Sequence, residues 1–159
     1  MYKTIDLLQE LEDYYYIDYI PYHPTDANYL ELEEYFEENY LPEYAKKIVR
    51  IALKLIYFYE CEIFLTENTK KVELKYNIPF NVNIRDNGPE KIAYIIEQVI
   101  LKDFSSVQIL FSTPLFLMSI NGGFSVAIYQ PSDKVIQILQ SLVTQEGLFL
   151  KHTGDIEDN

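Results

Sequence analysis

Tryptophan is absent from this chain of 159 residues, glycine occurs five times and cysteine once. The single thiol, Cys61, excludes an internal disulfide and a cysteine zinc cluster, and a lone cysteine fits a reducing, cytoplasmic setting. Long apolar runs are missing as well. The most apolar stretch, 107–120, is interrupted by Ser112, Thr113 and Pro114. It falls short of the about 20 apolar residues a membrane helix needs. The N-terminus, MYKTIDLLQELED, carries acids where a secretory signal needs a basic and then an apolar region. Positive charge is scarce: 13 Lys and Arg against 25 Asp and Glu leave a net charge of −12. Such a chain is repelled by nucleic acid and by anionic lipid, so direct nucleic-acid or membrane binding is disfavoured and a basic partner is favoured.

Catalytic signatures are also lacking. There is no glycine-rich phosphate loop, no nucleophile elbow and no His-Glu-x-x-His helix. Gly122-Gly123 reads as turn geometry. Cys61 could in principle pair with His23 or His152 as nucleophile and base, but no spacing supports it. Cys61 therefore reads as a buried structural thiol and His152 as a solvated strand residue. The run ELEEYFEEN at 31–39 lacks the Asp-rich loop of a calcium hand, and a helix would aim its carboxylates outward. No catalytic residue, metal site or cofactor is expected.

What is present is concentrated at one end. Residues 1–44 hold twelve acids and one lysine, residues 45–75 four acids and seven bases, and residues 76–159 nine acids and five bases. Ten of the 15 tyrosines also fall in the first 44 residues. The segment ELEDYYYIDYIPY, residues 10–22, packs five tyrosines among four acids without one base.

Periodicity predicts the elements. Thr4 caps a first helix with Ile5, Leu8, Leu11 and Tyr15 on one stripe, stopped by the prolines at 21 and 24. A second helix fits 28–40, with Asn28 and Glu31 as a capping box and Leu32, Tyr35, Phe36 and Tyr40 as its buried stripe. Pro42 opens a third helix whose apolar face is Ile48, Ile51, Ala52, Leu55, Ile56 and Tyr59. Residues 61–66, 71–76 and 80–85 read as three short strands, with a turn at 67–70. A helix from Pro89 buries Ile92, Ile95, Ile96 and Val99. Asn121-Gly122 predicts a two-residue hairpin that sets Leu117 opposite Val126, apolar on both faces and therefore central. Ser132 caps a last helix burying Val135, Ile138, Leu139 and Leu142, and 148–152 form a closing strand. The fold class is α+β: N-terminal helices packed on a mostly antiparallel sheet with further flanking helices. A single domain is expected over 1–159, divided into an acidic, tyrosine-rich helical part (1–60), a sheet with two helices (61–153) and a frayed tail (154–159).

The acid and tyrosine patch has two readings. In one, the stripe Glu31, Glu34 and Glu38 packs beside Lys47, Arg50 and Lys54 of the next helix, and the tyrosines fill the core. In the other it is a docking face, since tyrosine gives contact area at little rotamer loss and clustered carboxylates steer a cationic surface. Around a helix, three consecutive tyrosines cannot all be buried, and Glu10, Glu12, Asp13 and Asp18 have no base nearby in sequence. The candidate partner-binding residues are Asp13, Tyr14, Tyr15, Tyr16, Asp18, Tyr19, Tyr22, Glu31, Glu34, Glu37 and Glu38. The function class this implies is a non-enzymatic acidic binding protein that neutralises a basic protein, in general character like a bacterial immunity protein that plugs the cationic site of a nuclease toxin. A nucleic-acid mimic from a phage or mobile element is an alternative. It wants charge along the whole molecule, which residues 76–159 lack. A further alternative is an enzyme or ligand-binding domain with a pocket near Ser125 and Tyr129. The last is a subunit that self-assembles through the apolar hairpin.

Overall fold

The computed structural model describes residues 2–22, 29–66 and 70–156. In chain order its elements are α1 (Tyr2–Gln9), β1 (Tyr15–Asp18), α2 (Tyr29–Asn39), α3 (Leu41–Phe58), β2 (Cys61–Leu65), a 3-10 turn (Arg85–Asn87), α4 (Pro89–Lys102), β3 (Val107–Ser112), β4 (Leu115–Ile120), β5 (Val126–Tyr129), α5 (Asp133–Gln145), β6 (Phe149–His152) and a closing 3-10 turn (Thr153–Ile156). The six strands form one antiparallel sheet in the order β2-β3-β4-β5-β1-β6. The fold is α+β, with helices on a fully antiparallel sheet.

Strand alternation assigns the two faces. Ile63, Ile109, Met118, Ile128 and Ile17 point inward onto α3, α4 and α5 and make the main core. Phe64, Leu110 and Leu117 point to the outer face, where Ile5 and Leu8 of α1 cover them. β3 and β4 are thus covered on both sides, whereas β5, the other strand of the hairpin expected to be covered on both faces, leaves its outward Tyr129 half-buried. The helix periods hold for α3, α4 and α5. Ile48, Ile51, Ala52, Leu55 and Ile56 are buried on α3, and Ile92, Ile95, Ile96 and Val99 on α4. Ser132 Oγ accepts from the Val135 amide and caps α5. On α5 the fully buried residues are Val135, Leu139 and Val143, with Ile138 and Leu142 half-buried at the edge of the stripe.

Four expectations are corrected. The first helix ends at Gln9, and Tyr15 lies on β1, so residues 1–60 are not wholly helical. The 71–76 and 80–85 segments form no strand beside β2. Their alternation is nevertheless meaningful: Val72, Leu74 and Tyr76 pack on the core while Lys71, Glu73 and Lys75 face out. A period of two reports half-burial, and only one bridge, Phe64 to Asn83, adds pairing. The β4–β5 register sets Leu117 opposite Tyr129, not Val126. Residues 121–125 form a longer loop, closed by Asn121 N donating to Ser125 O at 2.9 Å and docked on α4 by Gly123 N donating to Ile100 O at 2.9 Å. The shift is odd, so β5 exchanges its faces: Val126 and Ile128 enter the core and Tyr129 faces outward. Finally, Thr153–Ile156 is a 3-10 turn rather than a frayed end. The Asn28 cap, the 67–69 part of the turn and residues 157–159 lie outside the described residues.

The loop at 121–125 is tight against the end of α4. A Cβ on Gly122 would collide with the Asp103 side chain, including its Cβ. Asp103 itself holds a left-handed φ of 48°, which favours glycine. Gly122→Ala is therefore expected to cost about 1–3 kcal/mol, and adding Asp103→Gly should restore most of it. Urea denaturation midpoints of the two single variants and the double variant check this; additive losses would contradict the contact.

Candidate functional site

Strand β1 separates its tyrosines by alternation. Tyr15 faces the main core and lies against the His152 ring of β6, with centroids 4.5 Å apart. His152 is accordingly half-buried, not solvated. Tyr14 and Tyr16 face outward with Tyr129; Tyr14 is 5.1 Å from the Tyr129 ring and 6.5 Å from that of Tyr16. All three consecutive tyrosines are half-buried, because a strand within a sheet shelters both sides where a surface helix shelters one.

Asp18 is a structural acid. Its Oδ2 receives Lys151 Nζ at 2.8 Å and its Oδ1 the Tyr19 amide at 2.8 Å. Both charged side chains are largely covered. The expectation that Asp18 lacks a base is thus overturned by a residue 133 positions away, which β1–β6 pairing brings alongside. Tyr19, just past β1, enters an aromatic cluster. It stacks on Phe124 at 4.1 Å and touches Phe36 and Tyr40 at 5.3 and 5.8 Å. Burial, then Asp18, Glu33 and Glu37, push its hydroxyl above the ordinary tyrosine range. Beneath the cluster, the fully buried Tyr44 donates to the Ile17 carbonyl at 2.7 Å. Burial likewise drives that hydroxyl far up, and it stays protonated.

Helix α2 departs most from expectation. Leu32 and Tyr35, assigned to a buried stripe, are each 58% exposed, and Leu30 is 61% exposed. Among the described side chains of this segment, Phe36, on α2, and Tyr40, just past its end, reach the body. Leu32 continues their line one turn earlier, where, among the described residues, the segment after β1 faces it. There the line opens into a groove of about 310 Å³ lined by Tyr19, Ile20, Pro21, Tyr22, Leu32 and Phe36, with Glu33 at its rim. Tyr22 is 82% exposed.

The proposed match between acidic and basic helix stripes does not form. The described residues contain two ion pairs, Lys151 with Asp18 and Arg50 with Glu146. Arg50 turns to α5 and holds the Glu146 carboxyl below the usual range. Lys47 bonds the Tyr40 hydroxyl at 3.0 Å. Glu31, Glu33, Glu34, Glu37 and Glu38 are all exposed, as is Asp13. The sequence-predicted residues therefore divide. Tyr22, Glu31, Glu34, Glu37 and Glu38 gather around α2 with Tyr19 at the groove wall. Tyr14 and Tyr16 belong to the outer sheet face, Asp13 is exposed in the segment before β1, and Tyr15 and Asp18 serve the fold. Leu30, Leu32, Glu33, Ile20 and Pro21 were missed. The signal was available: Leu30 and Leu32 lie about 200° apart on a helix and cannot share one buried stripe.

No nucleophile–base pair is assembled from the described residues. Cys61 on β2 and His152 on β6 occupy opposite sheet edges, five strand spacings or about 24 Å apart. Burial pushes the Cys61 thiol up despite the nearby Arg85, which disfavours a thiolate. His23 lies outside the described residues. No cluster of three or more His, Cys, Asp or Glu that could hold a metal occurs among the described residues, and no described helix is long and apolar enough to cross a membrane. No protein-family model matches the chain, and no curated protein or solved structure is significantly similar to it.

Two substitutions separate structural from surface groups. Tyr44→Phe leaves the buried Ile17 carbonyl without its donor and should cost about 1–3 kcal/mol. Asp18→Asn should cost a similar amount by stranding a covered lysine, whereas Asp13→Asn should stay within about 0.5 kcal/mol. Chemical denaturation of the three variants reads this directly; equal effects of Asp18→Asn and Asp13→Asn would refute the division.

Proposed function

We propose that the chain is an acidic binding protein without enzymatic activity that docks on and neutralises a basic protein through the α2 face. The observation that carries this reading is the exposure of Leu30, Leu32 and Tyr35 on acidic α2 and of Tyr22 in the segment after β1, beside an apolar groove and five glutamates with no cation paired to them among the described residues. Interfaces of this kind combine a few apolar anchors seated in pockets with a charged rim that steers association. The groove accepts an apolar side chain and the rim accepts lysine or arginine. A nuclease must hold phosphate and so presents a cationic site, which makes an inhibitor of a nuclease toxin, of the immunity-protein kind, the specific form of the proposal.

The groove also favours this reading over a nucleic-acid mimic. A mimic needs carboxylates spread at phosphate-like spacing, while an apolar cleft among them suits a protein side chain. The test is affinity capture on the immobilised chain with stepped salt, followed by assay of the captured protein. The expected result is one basic protein released as salt rises, whose nuclease activity falls as the chain is titrated in. Leu32→Asp and the double reversal Glu34→Lys with Glu38→Lys should each weaken capture at least tenfold, with an unchanged circular dichroism spectrum. A captured protein that binds both variants as well as the parent chain would sink the proposal.

A further inference from the structure

The outer sheet face carries a second groove, apart from α2. Helix α1 covers this face over β2, β3 and β4. Further along, over β5 and β1, the surface opens into a cleft of about 300 Å³. Strand pairing explains why it lies there. On this face Ala127 of β5 has Ser119 of β4 on one side and Tyr16 of β1 on the other, and Tyr129 follows two residues along its own strand. A methyl group among tyrosines leaves a pit. Ala127 lies at its floor, and its walls include Tyr14, Tyr16, Tyr129, Asn121 and Ser125. The Tyr14 and Tyr129 rings touch, with centroids 5.1 Å apart, and make one continuous aromatic wall.

We propose that this pit is an aromatic cage for a trimethylammonium head group. The negative face of an aromatic ring attracts a cation within about 6 Å of its centroid, more strongly where the ring is partly desolvated. Tyr14 and Tyr129 are both half-buried. Elsewhere the chain supplies such cations itself: Lys47 lies over Tyr40 at 5.3 Å, and Lys75 and Lys91 over Tyr76 at 5.4 and 5.5 Å. Among the described residues no lysine or arginine lies over Tyr14 or Tyr129. Lys151, which stands beside Tyr16 on this face, is held by Asp18. The surroundings favour a cation. Glu12, Asp13 and Asp155 are exposed near Tyr14 and Thr153, and none is in an ion pair among the described residues. Burial, then Asp18, Tyr14 and Asp155, raise the Tyr16 hydroxyl, which puts Asp155 close to the pit. The lining then selects among cations. It holds rings, an amide and hydroxyls but no carboxylate. A primary ammonium or a guanidinium would give up water there without meeting a charged acceptor. A trimethylammonium head has no N–H to satisfy and presents methyl groups to the rings. A cleft of about 300 Å³ is at the small end of ligand sites, as suits a head group of this size. This assignment stands whether or not the α2 face binds a protein.

The test is titration of the purified, isotope-labelled full chain with choline at low salt, followed by amide chemical shifts. Saturable shifts are expected at Asn121, Ser125, Ala127 and Tyr129. The neutral isostere of choline, with a tert-butyl group in place of trimethylammonium, should bind at least about fivefold more weakly, and so should ethanolamine, whose ammonium keeps its N–H groups. Tyr14→Ala and Tyr129→Ala should each weaken choline binding about tenfold, the loss of one ring face. Tyr14→Phe and Tyr129→Phe keep the ring and should stay within about threefold. Should the alanine variants misfold, Ala127→Leu remains decisive, since it fills the pit from its floor and should abolish the shifts. A short peptide with one trimethyllysine, run beside its unmethylated form, identifies the source of the head group: tighter binding than choline assigns a modified protein, weaker binding a free small molecule. The proposal is overturned if the neutral isostere or ethanolamine binds as well as choline, if the shifts map to α2, if none saturates by about 10 mM choline, or if the folded alanine variants or Ala127→Leu bind choline unchanged.

Discussion

The carbonyl of Ile17, held by the Tyr44 hydroxyl, marks the point on which the other features depend. Strand β1 lies between β5 and β6, so a segment from the first twenty residues completes a sheet otherwise closed by the last thirty. Its pairing with β5 covers Tyr15 and Tyr16. The Ile17 carbonyl, one residue further, is taken by α3 through a buried bond of 2.7 Å. Up to that bond the chain runs as a sheet strand; beyond it, Tyr19 turns into the aromatic cluster and the chain leaves toward Tyr22. The outer tyrosine groove lies before this point and the α2 groove after it. They share a wall, because Tyr19 lines one, Phe124 lines the other, and the two rings are stacked. An unmade bond at Ile17 would leave a desolvated carbonyl inside the core and loosen both grooves together.

The helices of the body were legible in the sequence because their signal is redundant. On α3 five expected apolar positions, a proline at the first turn and a basic opposite side all agree, and packing only enforces what the pattern states. β1 was not legible as a strand, for a definite reason. Ile5, Leu8, Leu11 and Tyr15 fit a helical stripe, and four residues at 15–18 are too few for a period of two to compete. What makes them a strand is pairing with residues more than a hundred positions away. The hairpin register failed similarly. Asn121-Gly122 has the chemistry of a two-residue turn, but the Gly123 bond to Ile100 and the fit of Gly122 against Asp103 hold the loop in a longer form. Tertiary contact overrode local preference, and an odd shift was enough to bring Tyr129 to the surface.

The candidate site was legible in composition and not in detail. Excess acid at the N-terminal end forecast an anionic surface, and five glutamates of α2 form it. The division of the tyrosines between core, groove and surface depends on which face of β1 each occupies, which sequence alone misassigned by taking the segment as helical. Asp18 shows the same limit, since its lysine is invisible until β1 and β6 are set side by side.

The electrostatics of α2 tie its exposed state to the proposed docking. An eleven-residue helix is marginal in water on its own, and among its described side chains none is fully buried. Glu33 and Glu37, and Glu34 and Glu38, are like charges one turn apart, each pair unfavourable by about 0.2–0.5 kcal/mol. Only Glu31 lies at the N-terminal end, where the helix dipole favours an anion. Glu37 and Glu38 lie in the last turn, where it does not, and no base stands there. α2 is therefore held to the body chiefly by Phe36 and Tyr40 against its own charge. A cationic surface laid across it would relieve the repulsion, compensate the C-terminal carboxylates and cover Leu32 and Tyr35 at once. Partner binding and helix order would then be linked, so the helix gains stability from the same contacts that give the complex its affinity.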